Sequence, residues 1–150
     1  MKILSLAGTH ITSATVAAFA NNTTLLQLDL SGNKLTDADL AVLSKNTHIQ
    51  NLSVEVNKVT DDGARALAMM PTLKALEAEM NKIGPTGAKA LVENKKITYL
   101  NLESNRIQDE GAFALAKTQT IRYLNVVHNG ITADGVKALK ENTQIKKLLI

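Results

Sequence analysis

Residues 97–120 read ITYLNLESNRIQDEGAFALAKTQT, and this stretch is the clearest copy of a unit that recurs every 24 residues along the chain. Self-similarity at a period of about 20 to 50 residues is typical of solenoids, in which each unit buries its apolar face only by stacking on its neighbours. Six units begin at residues 1, 25, 49, 73, 97 and 121, and a partial seventh begins at residue 145. The repeats therefore predict a single domain over residues 1–150.

Each unit combines a short strand with a short helix. Leu100 and Leu102 alternate with polar residues, and this period of two predicts a strand with one buried face. Ile107 returns to the core, and the alanine-rich segment that begins at Asp109 predicts a helix with acidic residues at its positive end. Helices are about 10 Å wide and neighbouring strands about 4.8 Å apart, so the stack should curve. We expect an α/β solenoid with about seven short parallel strands on its concave face and helices on its convex face.

Composition and charge limit the class of protein. The chain has no cysteine and a net charge of +3, so it contains no disulfide framework and is only mildly basic. It has no run of 18 apolar residues, and we expect no membrane contact. Residues 1–20 have some features of a secretory signal, but their apolar positions follow the repeat register, which favours a first repeat over a cleaved leader.

One column of asparagines recurs at the end of each predicted strand. A buried amide at this point can satisfy the backbone of its own turn and of the adjacent one, so we interpret the column as structural. Its members are Asn33, Asn57, Asn81, Asn105 and Asn129.

The motifs carry a resemblance to a known family. The pattern LxxLxLxxNxI, present over residues 97–107, resembles the leucine-rich repeat, and the segments GARALA (63–68), GAKALV (87–92) and GAFALA (111–116) resemble its GALA-type, ribonuclease-inhibitor-like subclass. That subclass includes effectors that bacterial pathogens deliver into host cells, and the chain resembles Legionella-type effectors of this kind. The resemblance implies a cytoplasmic protein, or one delivered into a host cytosol by a route that needs no signal peptide.

The third, fifth and seventh positions of each unit should tile the concave face, and an acidic strip crosses them. Like charges side by side in a sheet are destabilising, so this strip is not what a purely structural sheet favours. Two interpretations remain open: a basic column three residues further on neutralises the strip, or the strip docks a basic partner. The strip consists of Glu55, Glu77, Glu79 and Glu103, and the basic column consists of Lys58, Lys82 and Arg106.

Tyr99 and Tyr123 occupy the same position in adjacent units and should stack on the concave face. Tyrosine is enriched at binding hot spots, so the pair is a candidate contact surface. The alternative is a cross-strand aromatic pair that only stabilises the sheet. Four further residues complete the candidate surface: Asn101, Asn125, Val127 and Met80.

No pattern in the chain predicts catalysis or a cofactor. The three histidines, His10, His48 and His128, fall at different positions of their units, so the sequence predicts neither a metal cluster nor a nucleophile with a base. A nucleic-acid partner is not expected either, since the centre of the concave face is acidic.

We therefore expect a non-catalytic module that binds another protein through its concave face. The resemblance to ribonuclease-inhibitor-like repeats implies that it occludes or regulates an enzyme, either a host protein or another effector. The alternative is an adaptor that recruits a target, for example to a ubiquitin ligase. Apolar residues of the partial seventh unit, such as Leu148 and Ile150, lack a polar cap, which makes end-to-end self-contact a further expectation.

Overall fold

Within residues 2–150, seven short strands form one parallel sheet in the order β1 to β7. The computed structural model describes residues 2–150, and Met1, the first residue of the first predicted repeat, lies outside the described residues. From β2 onward each strand pairs with the strand 24 residues later, for example Gln27 with Asn51. The strands are β1 (Lys2–Ser5), β2 (Leu25–Asp29), β3 (Asn51–Ser53), β4 (Ala75–Glu77), β5 (Tyr99–Asn101), β6 (Tyr123–Asn125) and β7 (Lys147–Leu149).

A helix follows each of the first six strands, and the regular alternation confirms the predicted α/β solenoid with 24-residue repeats. Pro85 opens its helix directly after Gly84, at a position where the missing backbone donor has no helical partner to lose. No helix within residues 2–150 has the length and apolar character needed to cross a membrane. The helices are α1 (Ser13–Ala20), α2 (Asp37–Leu43), α3 (Asp61–Ala68), α4 (Pro85–Glu93), α5 (Gln108–Leu115) and α6 (Ala133–Glu141).

One apolar core runs through the stack between the sheet and the helices. The central leucines of β2 to β6 lie side by side in the parallel register, and each is at most 2% exposed. Leu4 and Leu148, in the two end strands, are only half-buried because each has a neighbouring coil on one side alone. The central leucines are Leu28, Leu52, Leu76, Leu100 and Leu124.

The predicted asparagine column forms a hydrogen-bonded ladder beneath the turns. Asn81 shows the pattern: its Nδ2 donates to the Val54 carbonyl at 2.9 Å and the Ala78 carbonyl at 3.2 Å. Its Oδ1 accepts from the Val59 amide at 3.0 Å. Each side chain therefore joins its own turn to the preceding coil, and Asn33, Asn57, Asn105 and Asn129 repeat the arrangement.

A second asparagine ladder, which the sequence analysis missed, ties the returns from helix to strand. Asn46 donates to the Phe19 and Asn22 carbonyls at 2.7 and 2.8 Å and accepts from the Ile49 amide at 2.8 Å. Asn94 and Asn142 bond to the preceding return in the same way. The signal was present, since these asparagines also recur at multiples of 24 residues.

Aspartates at the helix starts accept hydrogen bonds from the next coil, and their negative charge also interacts favourably with the positive end of the helix dipole. The Asp61 carboxylate accepts from the Gly84 amide at 2.6 Å, and the Asp109 carboxylate accepts from the Thr132 amide at 2.8 Å. Gly87 explains why small residues recur nearby: a Cβ there would lie 2.6 Å from an Asp61 carboxylate oxygen and 3.0 Å from the Ala64 Cβ. The helices therefore pack at a distance that a larger residue at this position would prevent.

Candidate functional site

The concave face is the sheet surface turned away from the helices, and it consists of three columns of side chains. The first column, at the third position of each repeat, runs through Ile3, Gln27, Asn51, Ala75, Tyr99, Tyr123 and Lys147. The second, at the fifth position, runs through Ser5, Asp29, Ser53, Glu77, Asn101, Asn125 and Leu149. The third lies in the turns just beyond the strands and contains Ala7, Ser31, Glu55, Glu79, Glu103 and Val127. Neighbours within a column are one strand apart, about 4.8 Å.

Tyr99 and Tyr123 stack face to face on the concave face. Their ring centroids lie 4.2 Å apart and their planes differ by 6°. The Nζ of Lys147 lies 5.2 Å from the Tyr123 ring centroid, so a cation of the chain's own covers the outer face of the stack. Burial, together with the nearby charge of Glu77, raises the pKa of Tyr99 above its ordinary value. The pair is half-buried and leaves aromatic surface open on the concave face.

Three carboxylates converge beside the tyrosines. Oxygen atoms of Glu55, Glu77 and Glu79 all lie within 4.8 Å of one another. Glu77 belongs to the second column and the other two to the third, and they meet because diagonal neighbours across a sheet are within reach of long side chains. The diagonal spacing of the three residues in the aligned repeats is the sequence signal that could have predicted this contact.

The crowding changes the acidity of Glu55. Burial raises the pKa of Glu55 to about 7, and the charge and hydrogen bond of Glu79 and the charge of Glu77 act in the same direction. Ser53 opposes the shift with a hydrogen bond, which is too weak to reverse it. Glu55 is therefore a weaker acid than an ordinary glutamate, because it is partly buried and its neighbours carry the same sign of charge.

Of the two interpretations left open for the acidic strip, neutralisation by direct pairing with the basic column is not supported by the ion pairs of residues 2–150. Ion pairs within 4.0 Å among residues 2–150 are Arg65 with Asp62 and Lys95 with Glu93, and neither lies on the concave face. The basic column does not reach the strip because its residues follow the turn at which the chain leaves the concave face for the helices. The amide of Lys58, for example, donates to the Leu35 carbonyl of the preceding coil, past that turn.

Asn101 and Asn125 occupy the concave column, but they are buried rather than exposed as the sequence predicted. Only 6% and 5% of their surfaces are accessible. Asn101 Nδ2 donates to a Glu79 oxygen at 2.6 Å and a Glu77 oxygen at 3.1 Å, and Asn125 Nδ2 donates to Glu103 at 2.9 Å. Neighbouring glutamates cover these amides, so the asparagines position the carboxylates that a partner would meet.

A depression of about 450 Å³ lies on the same face, on the N-terminal side of the tyrosines. Its lining includes the small side chains Ala7 and Ala75 and the carboxylates of Asp29, Glu55 and Glu77. Burial opposes ionisation of Asp29, but hydrogen bonds from Ser31 and Ser5 outweigh it and lower the pKa of Asp29. The depression therefore holds a stable negative charge.

Val56 and Met80 extend apolar surface along the rim of the concave face. They are 50% and 57% exposed, whereas Val127 is half-buried in the same turn region. Both adopt left-handed backbone, with φ of 51° and 54°, and this conformation is unfavourable for a β-branched residue such as Val56. Glycine occupies the corresponding position in the first two repeats, at Gly8 and Gly32, with φ of 64° and 66°.

The charge of the concave face opposes that of the whole chain. Its three columns hold five carboxylates, those of Asp29, Glu55, Glu77, Glu79 and Glu103, and one cation, Lys147. The face therefore has a formal net charge of −4 when all five carboxylates are ionised, within a chain of formal net charge +3. Near pH 7 its negative charge is somewhat smaller, because Glu55 has a pKa of about 7. Such separation favours encounter with a cationic surface.

Side chains that could hold an ion occur together only in this region of residues 2–150. The oxygens of the three clustered glutamates suit a hard cation or a cationic side chain, and such exposed groups are common without an ion. The histidines do not join that cluster, and the Nδ1 of His48 lies 3.1 Å from the Thr47 hydroxyl.

Comparisons with known proteins identify the repeat. A family model described as "Leucine rich repeat" matches residues 1–59, and a second with the same description matches residues 70–92, 93–116 and 117–140. No curated protein sequence matches the chain. The tropomodulin C-terminal domain of Caenorhabditis elegans has a similar structure, with a TM-score of 0.67, 13% identity and coverage of 88% of this chain and 91% of that one. Leiomodin-1 actin-binding site 2 matches with a TM-score of 0.55, 19% identity and coverage of 95% and 80%. At these identities the likeness concerns the fold.

Proposed function

Because the chain is a leucine-rich repeat protein, we propose that it is a non-catalytic module that binds a protein partner through its concave face. The tyrosine pair carries this proposal. Stacked aromatic rings on an open sheet face combine apolar area, hydroxyl groups and little conformational freedom to lose, which are the properties of binding hot spots.

The size and chemistry of the face support a protein partner. Seven strands at about 4.8 Å spacing span roughly 29 Å, enough for a standard interface of about 800 Å² per side. Apolar Val56 and Met80 lie at the rim, and the negative charge of the face favours a basic counterpart. The similar fold of leiomodin-1 actin-binding site 2, a domain named for binding a protein, supports the same class of function.

The mechanism we favour is occlusion, in which the curved sheet covers an enzyme's active region and so regulates it. The enzyme would be a host protein or another effector, and this chain would act as a bacterial effector. The motif GAxALx, repeated at Gly63, Gly87 and Gly111, supports this assignment through the GALA-type resemblance. The alternative role as an adaptor, for example for a ubiquitin ligase, uses the same face.

The test is affinity capture with a matched pair of variants. Tyr99→Ala with Tyr123→Ala removes the concave aromatic pair, whereas Phe113→Ala removes an aromatic residue that is 44% exposed on α5, on the helix side. We expect the double variant to reduce the affinity for a captured protein roughly 30-fold and the Phe113 variant to leave it unchanged. The reverse pattern, measured on folded variants, would place the interface on the helices and defeat the proposal.

Two further measurements define the role. An occluding protein suppresses the turnover of its captured enzyme in a two-component assay, whereas an adaptor has an effect only when a third component is present. Purified actin is a defined probe suggested by the leiomodin-1 likeness, and cosedimentation of the wild type and the tyrosine variant would test it directly.

A further inference from the structure

The first column of the concave face contains a gap beside the tyrosine stack. In the parallel register Ala75 pairs with Tyr99, Tyr99 with Tyr123, and Tyr123 with Lys147. The column therefore reads alanine, tyrosine, tyrosine, lysine across four adjacent strands. Because the two rings lie face to face along this direction, one face of Tyr99 is covered by Tyr123 and the other looks over Ala75.

The two ends of the stack differ in what covers them. At the outer end the Nζ of Lys147 lies 5.2 Å from the Tyr123 centroid, so the stack already accepts a cation from the chain itself. At the inner end the neighbouring side chain in the column is only the Ala75 methyl group, and Ala75 and Glu77 line the depression beside it. The vacant place is one strand spacing wide, about 4.8 Å, which is suited to a single planar group.

The surroundings of the gap specify the charge of that group. Glu77 follows Ala75 by two residues on β4, on the same face, and its charge is close enough to act on the Tyr99 hydroxyl. Asn101 fixes one Glu77 oxygen through a hydrogen bond of 3.1 Å. Beyond Glu77 lie the carboxylates of Glu55 and Glu79, and no cation lies within ion-pair distance of this group among residues 2–150.

We propose that the gap over Ala75 is a guanidinium slot, in which an arginine side chain of the partner protein stacks on the free face of Tyr99 and pairs with Glu77. Clustered carboxylates alone would not mark such a site; the assignment depends on the open aromatic face and on the cation already bound at its opposite end. Arginine fits better than lysine because its planar guanidinium stacks on a ring and pairs with a carboxylate in one geometry. This inference rests on the proposed function and names the partner chemistry that the concave face recognises.

The test uses Nα-acetyl-arginine methylamide as the probe and the matching lysine compound as its comparison. In NMR titrations of the full chain we expect saturable shifts of the Ala75 methyl and Tyr99 ring signals with the arginine probe. The lysine compound should bind roughly fivefold more weakly, since it lacks the planar fork. Absence of a saturable shift, or equal affinity of the two probes, would overturn the slot.

Variants with matched bulk locate the site. Ala75→Leu fills the gap without changing charge, and we expect it to weaken arginine binding at least roughly tenfold, because the side chain would lie against the Tyr99 face. Ala7→Leu adds the same bulk in the same depression three strands away and should leave binding unchanged. Glu77→Gln preserves shape, so it serves if Ala75→Leu does not fold, and it should weaken the arginine probe several-fold. Unchanged binding in the folded Ala75→Leu variant, or in Glu77→Gln, would overturn the proposal.

The slot and the proposed function can fail separately. If capture of a protein partner is lost in the tyrosine double variant but kept in Ala75→Leu, the concave face binds its partner and the arginine slot is overturned. If the arginine probe binds as expected while partner capture ignores the tyrosines, the slot stands and the proposed function fails.

Discussion

The asparagine ladder beneath the turns and the columns of the concave face lie within a few residues of each other, yet they follow opposite rules. The ladder has the same residue in five consecutive repeats, and Asn81 bonds to backbone groups on two coils. The concave columns keep one residue over at most three repeats, as in Glu55, Glu79 and Glu103, and otherwise change, as from Asn51 to Ala75 to Tyr99. They also concentrate same-sign charge and leave it without ion pairs within 4.0 Å in residues 2–150.

The asparagine ladder stabilises the stacked repeats, whereas the concave columns distinguish this protein from other proteins with the same stacked repeats. Stacking needs every turn to satisfy its neighbour's backbone, because an unpaired buried polar group is costly. Nothing in stacking needs a tyrosine at residue 99 or three glutamates in contact. Positions that hold one residue through five repeats should therefore control folding, and positions that change along the stack should control binding.

The largest expected effect is at the ladder. Asn81→Ala removes a side chain that donates to the Val54, Glu79 and Ala78 carbonyls within 3.2 Å and accepts from the Val59 amide at 3.0 Å. The carbonyls keep other donors, such as Asn57 and Asn105, but the buried Val59 amide loses its acceptor. We expect a loss of about 3 kcal/mol in the free energy of unfolding, measured by urea denaturation.

Asn101→Ala is the matched variant on the concave face. Asn101 is 6% exposed and Asn81 is 8% exposed, so burial is the same and only the role differs. Because the main partners of Asn101 are carboxylates that can turn toward water, we expect a loss of about 1 kcal/mol or less. Equal losses for the two variants would break the distinction between ladder and face.

A smaller effect concerns the pH dependence that the glutamate cluster creates. Glu55 has a pKa of about 7 in the folded chain against 4.5 for a free glutamate, so folding favours its protonated form. The contribution of Glu55 to the free energy of unfolding is therefore fully present below about pH 4.5 and is lost as the pH rises through about 7. Because Glu55 is partly exposed and water screens the interaction, we expect a loss of about 1 kcal/mol in unfolding free energy between about pH 5 and 8.

Glu55→Gln should remove that slope and make the chain more stable than wild type at about pH 8, as followed by urea midpoints at several pH values. Glu103→Gln is the control, since Glu103 lies on the same column but outside the cluster of three. Its pH profile should keep the wild-type slope. If Glu55→Gln retains the slope as well, the origin of the pH dependence lies elsewhere in the chain.

Features that recur in every repeat could be predicted from the sequence, but side-chain contacts between neighbouring repeats could not. Leu100, Asn105 and Ile107 recur at fixed spacing, so the strands, the ladder and the core could be placed without coordinates. The convergence of Glu77 with Glu55 depends on a diagonal contact between coils, which a column-by-column alignment does not represent. The same limit explains why Asn101 was expected to be exposed, since its cover comes from glutamates of a neighbouring repeat.

The smallest expected effect sharpens the comparison at the rim, where Val56 holds a φ of 51°. A β-branched residue in left-handed backbone is strained, and asparagine tolerates this conformation better. Val56 is 50% exposed, so it loses little apolar burial on replacement, and we expect Val56→Asn to stabilise the chain by about 0.5 kcal/mol in urea denaturation. Ser104→Asn, at the equivalent position with φ of 55°, is the control. It should change the unfolding free energy little, because serine lacks the branched apolar side chain of valine. If Val56→Asn is more stable than wild type but binds a captured protein more weakly, the strained valine serves partner contact. If the variant is less stable, the packing of Val56 outweighs its backbone strain.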